Sequence, residues 1–161
     1  MNLKESENKA MLYSANVKNV LIGRLEHGSD LLDELQKICI EQKIMLGRIQ
    51  GIGAVQRARL AWYDQEKKIY HYTDLEKHLE IVSLSGNISL KEGKPFVHAH
   101  IVLSDGNFQS FGGHLAQGTL VFACEITIDV LQDALLERAL DNTTQLYLWK
   151  SNDIAKIVVS Q

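Results

Sequence analysis

Apolar and polar residues alternate along most of this chain, in runs separated by short polar or glycine-containing turns. A period of two is typical of a strand that buries one face. The pattern predicts strands at residues 19–25, 44–52, 55–63, 68–74, 77–90, 96–103, 108–115 and 119–130. Strands of this length at such regular intervals predict a mostly antiparallel sheet or a barrel.

One segment between the first two strands has helical periodicity instead. Its apolar residues form a single stripe on a helix: Leu31, Leu32, Leu35, Ile38 and Cys39. Such a stripe predicts a helix that packs on the sheet, and Ser29 or Asp30 can cap its N-terminus. We therefore expect an α+β fold with an antiparallel, barrel-like core and one main covering helix.

The C-terminal part of the chain leaves two alternatives open. Residues 129–132 fit a helix-capping box with apolar residues continuing at helical spacing, yet the same segment is compatible with an extended chain. Residues 146–149 and 154–159 are predicted as terminal strands or tail. The domain organisation predicted from these patterns is an N-terminal extension at 1–18, one domain at 19–150, and a C-terminal tail or terminal strand at 151–161.

The composition narrows the classes of function. A chain of 161 residues, 45% of them hydrophobic, can bury the core of one domain. The formal net charge is −3 and no run of Lys or Arg forms a basic arm, which argues against DNA as a direct partner. Because no segment resembles a signal peptide or is long and apolar enough to span a bilayer, we expect a cytoplasmic protein without a membrane partner.

Three of the six histidines fall within one predicted pair of strands: His98, His100 and His114. Residues two apart on a strand point to the same face, so His98 and His100 form a pair of parallel nitrogen donors. Three neutral imidazoles leave at least one coordination position of a divalent metal open, as in catalytic zinc and iron sites. The alternative is that the first two histidines lie on an exposed sheet face while His114 is bonded within a glycine turn.

His114 can be the third ligand only if the hairpin between the two strands has a particular register. Asp105-Gly106 predicts a two-residue turn, and its register would place His114 on the face opposite to His98. All three histidines share one face only if the loop has an odd number of residues or if a bulge at Gly112-Gly113 shifts the register. We therefore predict that this hairpin departs from the regular register.

A carboxylate in a predicted strand is the candidate catalytic residue. Glu80 stands among apolar residues, where an unpaired carboxylate is costly to bury. It is a candidate general base or fourth metal ligand. The alternative is an ion pair with one of the strand arginines: Arg48, Arg57 or Arg59.

Several of these motifs occur in one known family, in the same order. They are the strand at 79–88, His98-Ala99-His100, Leu103-Ser104-Asp105-Gly106 and Gly112-Gly113-His114-Leu115. In this respect the chain, from about Val20 to Trp149, resembles the bacterial and archaeal PPC-domain proteins, whose domain is shared by plants and prokaryotes. The resemblance implies an antiparallel sheet with a packed helix, assembly as a homotrimer, and a fold similar to that of acetolactate decarboxylase.

The same resemblance bears on the chemistry. Acetolactate decarboxylase is a zinc enzyme whose metal is held by a His-x-His pair and a later histidine, which implies zinc as the metal here. Plant members of the family bind DNA through an attached AT-hook, and this chain contains no Arg-Gly-Arg-Pro hook. DNA is therefore not expected to bind without a partner protein.

Two hypotheses follow. In the first, a homotrimeric PPC-domain protein binds a divalent metal through the three histidines and engages a small oxygen-bearing molecule, with lyase or hydrolase chemistry if it is an enzyme. In the second, the protein is non-enzymatic and DNA-associated or regulatory, and acts through its trimeric domain.

Overall fold

The computed structural model describes residues 12–150, which form one helix and nine strands. The elements are β1 (Asn16–Leu25), α1 (Leu31–Glu41), β2 (Gly47–Asp64), β3 (Ile69–Leu75), β4 (Leu79–Lys91), β5 (Lys94–Ser104), β6 (Ser110–Leu115), β7 (Leu120–Gln132), β8 (Glu137–Leu140) and β9 (Tyr147–Trp149). The strand or tail predicted at 154–159 lies outside the described residues.

All nine strands belong to one sheet, in the order β1-β7-β2-β6-β5-β4-β8-β9, with β3 paired to β2. A further pairing between β2 and β4 closes a ring through β2, β6, β5 and β4. Every pairing except that of β4 with β8 is antiparallel. The predicted α+β class, with an antiparallel core and one covering helix, is confirmed, and the core predicted as barrel-like is a partly ring-like sheet.

The ring depends on one unusually long strand. The two strands predicted at 44–52 and 55–63 are a single element, β2, because the chain passes through Gly53 without turning. Gly53 has a φ of +146°, and a Cβ there would collide with the carbonyl oxygen of Ala123 on β7. The glycine therefore permits a close backbone approach, and β2 reaches β4 and β7 with one half and β3 and β6 with the other.

Helix α1 covers the core and also completes the hydrogen bonding of β5. Asp30 caps the helix as predicted, since its carboxylate accepts a hydrogen bond from the backbone N–H of Asp33 at 3.0 Å. Among the described strands, β6 pairs with β5 only from His100 to Ser104. Beyond that point Gln36 of α1 takes over: it donates to the carbonyl of Pro95 at 2.6 Å and accepts from the N–H of Val97 at 3.0 Å.

The C-terminal segment is extended rather than helical. Strand β7 continues to Gln132, β8 lies parallel to β4 at Leu90 and Lys91, and β9 pairs with β8. The capping-box alternative at 129–132 is therefore wrong, because these residues remain paired with β1 and β2. Between residues 12 and 150, no helix is long and apolar enough to cross a membrane.

Candidate metal centre

The histidines lie on the outer face of β5 because the inner face supplies the core. Along this strand the buried residues alternate with the histidines: Val97, Ala99, Ile101 and Leu103 point inward. A period of two then directs His98 and His100 to the opposite side of the sheet. Their partners on β4 are Asn87 and Ser85 respectively.

The hairpin between β5 and β6 brings the third histidine to the same face. The register pairs His100 with His114 and Ser104 with Ser110, so the loop contains five residues, 105–109. The predicted odd-length loop is confirmed, whereas Gly112 and Gly113 stay in regular register opposite Val102 and Ile101. Asp105-Gly106 therefore does not form the two-residue turn that its sequence favours.

The loop is held by its first residue. The carboxylate of Asp105 accepts hydrogen bonds from the backbone N–H groups of Asn107 at 2.9 Å and Gln109 at 3.1 Å. Lys77 donates to the same carboxylate at 2.7 Å, and its hydrogen bond lowers the pKa of Asp105. Phe108 adopts a φ of +61°, which bulky residues rarely do. These contacts hold a loop with an odd number of residues, which places His114 on the same face as His98 and His100.

The three imidazoles form a compact triangle. Their ring centroids are 5.2 Å apart for His98 and His100, 4.9 Å for His98 and His114, and 5.2 Å for His100 and His114. One ligand nitrogen from each ring lies within 4.8 Å of the others. Nitrogens bound to one zinc ion lie about 3 to 3.5 Å apart, so small ring rotations bring all three into its coordination sphere. The residues present fit a divalent metal with a nitrogen preference.

The surroundings keep two of the imidazoles, those of His98 and His114, in the ligand form. Burial, followed by the charges of His114 and Arg138, lowers the pKa of His98 from 6.5 to about 4. Burial also lowers the pKa of His114, with His100 and Arg138 adding to the effect. Neutral imidazole is the form that binds a metal, so at neutral pH these two nitrogens need lose no proton.

The C-terminal segment lies beside this triangle and explains part of its burial. Arg138 of β8 donates to the side chains of Asn87 at 2.7 Å and Ser89 at 2.8 Å, both on β4. Tyr63 on β2 donates through its hydroxyl to the carbonyl of Thr144 at 2.6 Å. Residues 133–149 are thus attached to the outer face of the sheet from both sides of the histidines.

Tyr70 of β3 completes the edge of the site. Its ring centroid lies 5.4 Å from that of His114, and burial raises the pKa of its phenol. A neutral phenol can donate a hydrogen bond to an oxygen of a molecule bound at the open position. A cavity of about 600 Å³ leads away from His98 and His100.

The structure does not bring Glu80 to the histidines. Glu80 pairs with Ser104, which stands four residues beyond His100, about 13 Å along β5. It is exposed and lines a separate cavity of about 410 Å³ with His78 and Asp105. Its expected partners are elsewhere too: Arg48 pairs with Asp129, Arg57 with Glu76 and Arg59 with Asp74.

Sequence reasoning missed Arg138, Asn87 and Tyr70, which surround the triangle. Asn87 could have been found, because its strand was predicted and its outward side follows from alternation. Arg138 gave no local signal, since its position depends on the parallel pairing of β8 with β4. Tyr70 depends likewise on the pairing of β3 with β2.

Comparison with known proteins agrees with this architecture. The chain belongs to the family described as the Plants and Prokaryotes Conserved (PCC) domain, whose sequence profile it matches over residues 13–132. A metal-containing protein from Archaeoglobus fulgidus is 40% identical, with a TM-score of 0.83 over 88% of this chain and 100% of that one. A PPC protein from Pyrococcus horikoshii is 32% identical, with a TM-score of 0.83 over 90% and 100% of the two chains.

Two further comparisons are with longer proteins, of which this chain spans only a part. Acetolactate decarboxylase from Bacillus subtilis has a TM-score of 0.51 at 11% identity, over 80% of this chain and 59% of that one. This likeness concerns the fold alone. The bifunctional protein GlmU from Synechococcus sp. (strain JA-3-3Ab) is 33% identical over 114 residues, which are 70% of this chain but 17% of that protein.

Proposed function

We propose that this protein binds a divalent metal, zinc, through His98, His100 and His114, and uses the open coordination position to engage a small oxygen-bearing molecule. The observation that carries the proposal is the convergence of three imidazoles on one outer face, produced by strand alternation and a five-residue loop. The metal-containing relative from Archaeoglobus fulgidus, at 40% identity, supports it.

A divalent metal at three neutral imidazoles would supply Lewis-acid chemistry or activate a water molecule. The chain's own residues would orient the bound molecule. His100 is exposed, so the open side of the triangle faces solvent, while His98 and His114 are partly covered. Tyr70 stands beside His114 and would donate a hydrogen bond to an oxygen of the ligand. The chemistry thus suits a lyase or hydrolase reaction.

The metal content of the purified protein tests this proposal. Protein prepared without an affinity tag or chelator is expected to carry close to one divalent metal ion per chain. His98→Ala, His100→Ala and His114→Ala should each lose most of it, since two imidazoles do not complete a zinc site. His27→Ala is the matched control, because His27 instead lies 2.8 Å from the carbonyl of Phe122.

Two results would contradict the proposal. One is a wild-type protein that contains no metal and takes up no zinc in a titration. The other is full occupancy in His114→Ala, which would remove that residue from the ligand set. Circular dichroism of each variant separates loss of the site from loss of the fold.

We further propose that the functional unit is a homotrimer. Large apolar side chains on three strands of the sheet are exposed, namely Ile22 on β1 (82% exposed), Ile52 on β2 (58%) and Val82 on β4 (55%). These three line one groove of about 420 Å³. An apolar surface of this kind is typical of an interface between subunits.

Sedimentation at micromolar concentration should report about three times the chain mass of 18.1 kDa. Ile22→Lys should weaken the assembly, because it replaces an exposed apolar side chain of this groove with a charged one. Ile40→Lys changes an exposed residue of helix α1 and should leave the mass unchanged. A monomeric wild-type protein would refute the trimer.

A further inference from the structure

Arg138 is a buried cation that has no anionic partner among residues 12–150. The residue is only 7% exposed, and its guanidinium donates to three neutral acceptors: the hydroxyl of Ser89, the amide oxygen of Asn87 and the carbonyl of Tyr147. Within residues 12–150, no carboxylate forms an ion pair with it. A buried charge is costly unless an opposite charge compensates it, so this arrangement calls for an anion.

Hydrogen-bonding capacity remains on the same group. A guanidinium carries five N–H donors, and the three bonds to Ser89, Asn87 and Tyr147 use one donor on each nitrogen. One N–H on each of the two terminal nitrogens is left without a partner in the described part of the chain. Each of these donors can bond an oxygen of a carboxylate.

The position of this cation connects it to the metal centre. Asn87, which accepts from Arg138, is the direct strand partner of His98. A divalent ion on three neutral imidazoles would add two more positive charges to this region. The ligand that best compensates the combined charge is an anion.

The adjoining cavity indicates the chemistry of the rest of the ligand. Its volume is about 600 Å³, and its lining includes His98, His100, Leu46, Leu131, Leu136 and Trp149. Arg138 contacts two residues of this lining: it bonds Asn87, and its guanidinium carbon lies 5.6 Å from the ring centre of Trp149. The lining also includes Arg48, Ser85 and Asn87, but its leucines and Trp149 offer a surface on which an apolar group of the ligand would leave water.

We propose that the open position of the centre takes a monocarboxylate with an apolar body, whose charge Arg138 compensates and whose apolar part enters this cavity. The assignment rests on the metal site proposed above and names the class of its ligand. All of residues 133–149, including Arg138, lie beyond the matched family region, which ends at residue 132. The proposed selectivity therefore comes from a part of the chain that the family profile does not cover.

Calorimetric titration of the zinc-loaded protein with acetate, hexanoate and hexanamide tests the proposal. Hexanoate should bind at least about tenfold more tightly than acetate, because four additional methylene groups leave water. It should also bind at least tenfold more tightly than hexanamide, which has the same apolar body without the charge. Both differences are read from binding and require no knowledge of a reaction.

Arg138→Gln should weaken hexanoate binding at least tenfold, leave hexanamide binding unchanged, and retain one zinc ion per chain. Arg138→Lys keeps the charge and should retain part of the preference for hexanoate. Arg57→Gln removes one positive charge at an exposed pair with Glu76 and is the matched control, with no expected effect. Circular dichroism reports whether each variant is folded.

Hexanoate affinity that is unchanged in Arg138→Gln would overturn the proposal, as would equal affinities for hexanoate and hexanamide in the wild type. If Arg138→Gln does not fold, the comparison of hexanoate with hexanamide in the wild type decides alone. If the wild type takes up no metal, the proposed function fails separately. Titration of the metal-free protein then tests Arg138 directly: hexanoate binding that depends on Arg138 supports its assignment, and the absence of such binding refutes it.

Discussion

Replacing Gly53 with alanine should be among the most destabilising single changes in the sheet. An alanine at a φ of +146° carries backbone strain of about 1–3 kcal/mol. Its Cβ would also displace the carbonyl oxygen of Ala123 and disturb the ladder between β2 and β7, where each lost hydrogen bond is worth about 1 kcal/mol. With two ladder bonds lost, the free energy of unfolding should fall by about 3–5 kcal/mol.

Urea denaturation followed by circular dichroism measures this loss. With a slope of about 2 kcal/mol per molar urea, the midpoint should fall by roughly 1.5–2.5 M. All variants are compared at one protein concentration, because assembly would make the midpoint depend on concentration. Gly23→Ala is the matched control: its Cβ meets nothing within 4 Å on β1, so we expect a change of at most about 1 kcal/mol, in the stabilising direction. A loss below about 1 kcal/mol for Gly53→Ala would show that β7 yields easily and would refute the close-approach argument.

Three further outcomes are expected. The pKa of Asp105 is lowered, chiefly by the hydrogen bond from Lys77, so the stabilisation by this carboxylate is present above its ordinary pKa of 3.8 and is lost as the pH falls through the lowered pKa. The difference in melting temperature between wild type and Asp105→Asn should therefore be constant from about pH 5 to 8 and shrink below about pH 4. A difference that persists in acid would contradict this. Gln36→Ala leaves the N–H of Val97 without its partner and should lower the free energy of unfolding by about 1–3 kcal/mol. Lys37→Ala changes an exposed residue of the same helix and should lower it by less than about 0.5 kcal/mol. Equal effects of the two variants would show that the hydrogen bonds between Gln36 and β5 do not stabilise the fold. Binding to AT-rich duplex DNA at physiological salt should be no tighter than about 0.1 mM, and a submicromolar affinity that falls steeply with salt would reveal a basic surface overlooked in the sequence.

The helix and most strands could be predicted because their signals are local. The stripe from Leu31 to Cys39 has a period that only a helix satisfies, and the buried alternation of β5 fixes which side carries His98 and His100. The continuous strand through Gly53 could not be predicted, since a lone glycine is equally compatible with a turn. Only its contact with Ala123 on β7 distinguishes the two.

Local sequence signals did not predict whether the loop between β5 and β6 has an odd or an even number of residues. Asp105-Gly106 favours a two-residue turn, but Asp105 instead bonds the backbone of Gln109 and a lysine from a preceding segment, Lys77. The second contact is long-range, and the positive φ of Phe108 has no signature in its residue type. The requirement that three histidines share a face predicted the odd-length loop more reliably than the turn propensity did.

The metal-binding and ligand-selecting parts of the proposed centre come from different regions of the chain. The three histidines lie on adjacent strands within the matched family region, and their convergence requires only β5, β6 and the loop between them. Arg138 is brought to the same face by the pairing of β8 with β4, beyond the end of that region. Because these two pairings are physically separate, relatives that share the histidines but differ after the position of residue 132 should bind the same metal and prefer different ligands. A relative without a buried arginine at this place should therefore take up zinc and show a preference for hexanoate over hexanamide at least tenfold smaller than that of this protein.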